Sequence, residues 1–189
     1  MLLVVSDHGM LPVRDYVDLN AALRETEIRA FALGGGGIAS VLFEAAGTGQ
    51  PADLAGLAAL AGDLGLAAHP PNALPVGVST ANPRFGDAIV LAPGGTAIST
   101  GSLPPMLGAH GYLPDLPGMG AVLIAAGVGI APGGRLGEVR SIDVAPTLLT
   151  WLGIPPPDWM EGRPIVGLVA GPGEGTARNS ATTGNGEPR

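Results

Sequence analysis

The run Leu2-Leu3-Val4-Val5 breaks at once into the polar turn Ser6-Asp7-His8-Gly9-Met10. Four apolar residues without polar alternation are what a central parallel strand, buried on both faces, looks like in sequence. Such a strand cannot stand alone, because it needs neighbours along its edges and a layer of structure over each face. A domain rarely opens on an interior strand with no lead-in. The same stretch does not read as a signal peptide, since it has no basic region and too short an apolar core.

The rest of the chain supplies partners for that strand. Residues 28–33 and 38–43 are β-like runs split by Gly34-Gly35-Gly36-Gly37, which suggests a hairpin with a loose, glycine-rich connection. Residues 87–92 read as a strand turned by Pro93-Gly94-Gly95, and residues 121–126 as another buried strand. Residues 51–66 read as a helix: Pro51 suits a first turn, Leu54, Leu57, Leu60 and Leu64 recur at helical spacing, and Gly65 is a stop. Residues 18–24 suggest a short helical turn, residues 69–72 a turn, and residues 99–110 a loop. Residues 141–152 read as a further helix, with Ser141 as candidate cap, Asp143 in the first turn, and Gly153 and Pro155 past the end. Strands mixed with helices, and a β-rich stretch between residues of about 26 and 100, favour an α/β sandwich over an all-β fold.

Composition decides whether this pattern can pack. Gly 32 and Pro 19 in 189 residues approach the level of unpatterned disorder, but 46% hydrophobic against 13% charged is the opposite balance. With aromatics at 4%, the core has to be Leu, Val, Ile and Ala. The expected organisation is a folded part over residues 1–170 and a disordered tail over 171–189, where almost nothing apolar remains.

The net charge of −7, with all nine basic residues Arg, argues against a nucleic-acid-binding surface and a polybasic membrane anchor. No apolar run reaches the ~18 residues of a membrane span. The absence of cysteine excludes disulfides, thiolate zinc sites and a thiol nucleophile, so a metal site here would use His and carboxylate.

The chemistry-bearing residues are few. Asp7-His8 directly follows a strand, where ligands bind in open α/β sheets, and Gly9 permits a bend; taken alone, the pair also reads as a polar turn. His110 lies in Gly108-Ala109-His110-Gly111-Tyr112, whose small residues allow close approach, though alone it also reads as a surface His in a loop. His69 precedes Pro70-Pro71 with no carboxylate nearby and reads as structural. Gly34 to Gly37 lack the Lys and Ser/Thr of a phosphate-binding loop and read as a flexible turn. Ser6 has no base arranged around it and reads as structural.

The joint pattern goes further. Val4-Val5-Ser6-Asp7-His8-Gly9-Met10 resembles a metal-ligand motif of the alkaline phosphatase superfamily, and most closely that of the type I phosphodiesterase/nucleotide pyrophosphatase family. Arg84-Phe85-Gly86-Asp87-Ala88-Ile89-Val90-Leu91 resembles the family's R-x-G-D strand. Gly108-Ala109-His110-Gly111-Tyr112, with residues 119–127, resembles its G-x-H-G-Y element and the strand after it. Ile142-Asp143-Val144-Ala145-Pro146-Thr147-Leu148-Leu149, with Leu152-Gly153-Ile154-Pro155 and Met160-Glu161-Gly162-Arg163-Pro164, resembles its C-terminal helix and closing loop.

The resemblance implies an alkaline-phosphatase-like α/β sandwich, here as its C-terminal portion with a β-rich insert. It implies two divalent metals, usually zinc, with Asp7 and His8 as ligands of one and His110 as a ligand of the other. Asp143 is not among the implied ligands; capping suffices to explain it. The implied activity is metal-dependent hydrolysis of phosphodiester or pyrophosphate bonds of nucleotide type, on a small-molecule substrate. The alternatives are another superfamily activity (phosphatase, sulfatase or phosphomutase) or a non-catalytic metal-binding or interaction module. The family's nucleophile, a Thr or Ser, and its remaining ligands, an Asp and an Asp-x-x-x-His pair, precede the Ser-Asp-His-Gly motif and are not found here. No catalytic residue is therefore assigned, the chain alone is expected to be inactive, and a missing N-terminal half is its expected partner. Relatives are often exported, but nothing in this chain fixes a compartment.

Overall fold

The computed structural model describes residues 2–44, 51–75, 85–101, 107–127, 130, 134–165 and 167–168. Arg84 of the R-x-G-D segment and the expected tail from Gly171 lie outside the described residues. The chain divides into two compact units, His8–Gly120 and a second made of Met1–Asp7 with Ala121–Arg189.

The larger unit is built around a four-stranded antiparallel sheet of order β4-β5-β7-β6, comprising β4 (Ala30–Gly35), β5 (Ile38–Phe43), β6 (Ala67–His69) and β7 (Ala88–Leu91). The unbroken apolar run Ala88-Ile89-Val90-Leu91 takes a central position and is buried throughout, as a strand covered on both faces must be. β5 instead alternates, with Ala39, Val41 and Phe43 buried. Helix α2 (Pro51–Asp63) carries Leu57 and Ala61 into the same cluster, and Leu54, Leu60 and Leu64 pack against it. The leucine spacing therefore marks the buried face. Helix α1 (Leu19–Arg24) is capped by Asp18, whose carboxylate accepts the Ala21 N–H at 2.8 Å.

Two short pairings complete this unit. β3 (Asp15–Asp18) runs parallel to β8 (Thr96–Ser99), and β2 (Leu11–Pro12) runs antiparallel to β9 (Gly108–Ala109). β2 and β9 are two residues each, Leu-Pro and Gly-Ala, too short to show a period in sequence, and so β9 falls where the sequence predicts only loop.

In the smaller unit β1 (Leu2–Val5) pairs antiparallel with β10 (Leu123–Ala126), Leu2 opposite Ala126. The sequence predicts both as buried strands and β1 as a parallel one. The structure corrects this: Leu2, Val4 and Ile124 are 60%, 46% and 56% exposed. Apolar residues at every position show what a strand can be covered by, and this pair leaves that surface open.

The expected helix over 141–152 is a 3₁₀ turn, Ser141–Asp143, followed by α3 (Val144–Trp151). Asp143 stands at the N-cap position of α3, but neither its side chain nor that of Ser141 makes a capping hydrogen bond, which is a second correction. Asp143 turns instead to the Arg140 guanidinium, at 3.0 and 3.4 Å, and to the Arg163 N–H at 2.9 Å. That second bond ties the closing loop to the helix start. Thr147, 1% exposed, donates to the Asp143 carbonyl at 2.6 Å and accepts the Ile165 N–H at 2.9 Å. Trp151 Nε1 donates to the Leu168 carbonyl at 2.8 Å, and Ile165 and Leu168 are buried.

Candidate metal centre

His8 opens the larger unit directly after Asp7, three residues before β2, and His110 follows β9. The β2–β9 pairing sets Leu11 opposite Ala109 and so draws the two histidine segments together. The result is a face-to-face pair, with the imidazole centroids of His8 and His110 4.1 Å apart and their planes 13° from parallel.

The backbone beneath the pair is closely fitted. The Gly9 N–H donates to the Met119 carbonyl at 2.8 Å, and a Cβ on Gly9 would overlap the Gly118 carbonyl oxygen. Gly9 is thus required by close approach more than by the bend expected from sequence. Ala109 and Tyr112 on either side of His110 are buried with Ala97 and Met119, while the imidazole itself faces solvent. The Tyr112 hydroxyl donates to the Thr96 carbonyl at 3.0 Å. Burial, and then nearby Tyr16, push that phenol's pKa up, so Tyr112 stays a neutral donor.

Proton placement at His8 follows from its partner. Nδ1 lies 2.7 Å from the Gly9 carbonyl oxygen, which has no proton to give, so Nδ1–H donates. In the neutral ring the lone pair then sits on Nε2. Metal-ligating histidines are commonly held this way, with the other ring nitrogen donating to a carbonyl. Two nearly parallel rings cannot both hold one ion in their planes, but each can serve its own ion. The donor set therefore fits a two-ion arrangement to the extent of one imidazole per ion. Among the described residues no group of three or more His, Asp or Glu could hold a metal. Asp7 is exposed and ends the smaller unit's first segment.

The other candidates fall elsewhere. His69 is in edge strand β6, opposite Ile89. Ser6 Oγ accepts the Val122 N–H at 2.8 Å and the Ser6 N–H donates to the Val122 carbonyl at 3.0 Å, as its structural reading expects. Asp87 accepts the Phe43 N–H at 2.9 Å and so fastens β7 to β5. The glycine quartet proves to be no loose connection. Gly36 and Gly37 are buried, and the Gly37 N–H donates to the His110 carbonyl at 2.8 Å. A two-residue hairpin turn needs one or two glycines, and four in a row are the available sign of a close backbone approach.

Comparison with known proteins gives the family and the fold. A family model, type I phosphodiesterase/nucleotide pyrophosphatase, matches residues 1–113, more than half of the sequence, and the chain belongs to that family. The matched stretch contains the Ser-Asp-His-Gly, R-x-G-D and G-x-H-G-Y segments. No curated protein matches the chain in sequence. Human ectonucleotide pyrophosphatase/phosphodiesterase 5 is similar in structure, with a TM-score of 0.63 and 20% identity over 82% of this chain and 41% of that one. The murine protein matches with a TM-score of 0.65 and 20% identity, over 80% of this chain and 40% of that one. An inactive form of the murine protein in complex with AMP gives 0.66 and 22%, again over 80% and 40%. The chain therefore spans about two fifths of the length of these solved relatives. The fold is α/β and alkaline-phosphatase-like over that partial region. Among the described residues no helix is long and apolar enough to cross a membrane.

Proposed function

We propose that this chain contributes part of the active site of a metal-dependent hydrolase of phosphodiester or pyrophosphate bonds of nucleotide type. Its share of the ligands is Asp7 and His8 for one divalent ion, zinc foremost, and His110 for the second. The observation that carries this reading is the His8–His110 stack, which offers two imidazoles in neighbouring, nearly parallel planes at 4.1 Å. Paired catalytic ions lie ~3.5–4 Å apart, a spacing that such a stack suits. Family membership supports the reaction class, and the AMP complex of the murine relative supports a nucleotide substrate.

The residues of this chain hold and orient. His8 is fixed in one tautomer by the Gly9 carbonyl, and His110 is set by the backbone bonds around it. The ions, when bound, would stabilise the attacking and leaving oxygens of an in-line displacement. The Thr or Ser whose oxygen attacks phosphorus, expelling the alcohol or phosphate on its far side and forming a phospho-enzyme whose O–P bond water then cleaves, belongs to an N-terminal complement in the same or a separate polypeptide. The remaining ligands come from that complement too.

The test is turnover of a nitrophenyl phosphodiester. The isolated chain should stay near background. The chain joined to, or mixed with, an N-terminal complement encoded upstream or by a near homologue should be active, lose activity to a chelator and regain it with zinc. His8→Ala and His110→Ala should each abolish it. Robust turnover by the isolated chain that vanishes in His8→Ala would show the site to be complete without a complement. A completed protein that binds zinc but turns nothing over would favour the non-catalytic module.

A further inference from the structure

We infer that the Gly36–Gly37 turn is a positioning element for the metal centre, holding the His110 backbone at the height that stacks its ring on His8. This rests on the proposed function only in taking the pair as metal ligands. In the β4–β5 hairpin Gly35 lies opposite Ile38, so Gly36 and Gly37 alone make the turn. Hairpin turns of this length ordinarily project into solvent and tolerate Asn or Asp beside Gly. This one is buried, and every backbone polar group in it is engaged. Gly36 exchanges both bonds with Ile98, at 3.0 and 2.8 Å. Gly37 accepts the Ala92 N–H at 2.9 Å and donates to the His110 carbonyl at 2.8 Å.

The turn has no room for a side chain on either residue. A Cβ on Gly36, where φ is +73°, would overlap the His110 carbonyl oxygen and lie 3.5 Å from its carbon. A Cβ on Gly37 would overlap the Tyr112 nitrogen and lie 2.6 Å from that residue's Cα and Cδ1. The histidine strand thus rests on bare backbone from below, while the β2–β9 pairing fixes its register beside the His8 segment. Any side chain in the turn has to lift His110, break the Gly37–His110 bond and move the imidazole off its partner. Displacements of about 1 Å at a reacting centre cost on the order of 10²-fold in rate, so holding such a position matters to the site.

The experiment uses the whole chain, compared with Gly36→Ala, Gly37→Ala and a control, Gly65→Ala. Gly65 also has a positive φ, +71°, but a Cβ there meets nothing within 4 Å, so the control carries backbone strain without touching the site. The first readout is the nuclear Overhauser cross-peak between the ring protons of His8 and His110 in the metal-free chain. The wild type and Gly65→Ala should show it. Gly36→Ala and Gly37→Ala should not, while their Ile89 and Val90 methyl signals keep their positions. The second is Co²⁺ titration of the chain joined to its N-terminal complement, in which the two turn variants should bind ~10–100-fold more weakly, as losses of ligand-orienting groups do, and the control should not. A cross-peak that persists in both folded turn variants would overturn the inference. Its disappearance from them, with no Co²⁺ binding even by the wild type, would uphold the positioning role and sink the metal reading instead. Should neither variant fold, amide exchange on the unaltered chain decides. The Gly37 N–H must then exchange as slowly as those of β5, and exchange at an open-loop rate would overturn the inference.

Discussion

His8 and His110, 102 residues apart in sequence, present their imidazoles face to face at 4.1 Å, tilted by 13°. In-plane lone pairs on nearly parallel rings point side by side and do not converge. The geometry therefore distinguishes one shared ion from two neighbouring ones. If each ring serves its own ion, the completed protein should bind two zinc ions, and His8→Ala or His110→Ala should each leave one site. Calorimetric stoichiometry checks this. A single ion in the wild type, absent from either variant, would mean that the rings rearrange to share it.

Thr147 connects α3 to the closing loop through a donor and an acceptor at one buried hydroxyl. Thr147→Val keeps the shape but leaves the buried Ile165 N–H without its acceptor. The expected cost is about 1–3 kcal/mol, the penalty for an unsatisfied buried group. Thr147→Ser should recover most of it. Thermal unfolding of both variants measures the difference, and a Val variant as stable as the wild type would show that the Ile165 N–H finds another acceptor.

How much of the fold is legible in the sequence depends on what each element must satisfy. The α2 leucines, the central β7 run and the β4–β5 hairpin are legible, because hydrophobic period and strand composition directly reflect what they bury. The pairing of His8 with His110 is legible only through the family resemblance, since no period spans 102 residues and each histidine alone suits a surface loop. The role of Gly36 and Gly37 is only partly legible: four glycines exceed what a two-residue turn needs, but a turn and a close approach ask for the same residue, so the sequence does not show which two are held against His110 and Tyr112. The exposure of β1 and β10 is hidden because an apolar strand looks the same covered or bare. Asp143 resembles a cap in sequence, but its carboxylate is taken up by Arg140 and by the Arg163 amide, 20 residues away, a bond that local pattern does not reveal.

That carboxylate has a consequence for pH. The hydrogen bond from Arg140, and then the Arg163 N–H, hold the Asp143 pKa below the ordinary carboxylate value. A group whose folded pKa is lowered contributes stability that is complete above its unfolded value and lost as pH falls through the folded one. The Arg163 amide should therefore keep its protection against exchange, corrected for intrinsic rate, down to about pH 4 and lose it below. Salt should weaken it as well, because the Arg140 side chain is 62% exposed. Asp143→Asn should reduce that protection at neutral pH and flatten the acid limb. An acid limb unchanged in the variant would assign the loosening to another carboxylate.

The position of the domain end can be tested by truncation. Ile165 and Leu168 are 7% and 4% exposed, and the Leu168 carbonyl accepts the Trp151 indole N–H at 2.8 Å. The closing loop thus covers α3 and satisfies two of its side chains, Thr147 and Trp151. Beyond Gly171 the sequence is mostly Gly, Thr, Asn, Glu and Arg, with no apolar residue larger than Ala or Pro, and ordering each would cost ~1–2 kcal/mol of backbone entropy with little burial to offset it. Cutting after residue 170 should leave soluble yield and protease resistance unchanged. Cutting after residue 153 removes Ile165 and Leu168, exposes the buried hydroxyl of Thr147, and strips Asp143 of its Arg163 partner. It should lower soluble yield and open α3 to proteolysis. Equal resistance of the two truncations would place the end of the folded region before residue 153.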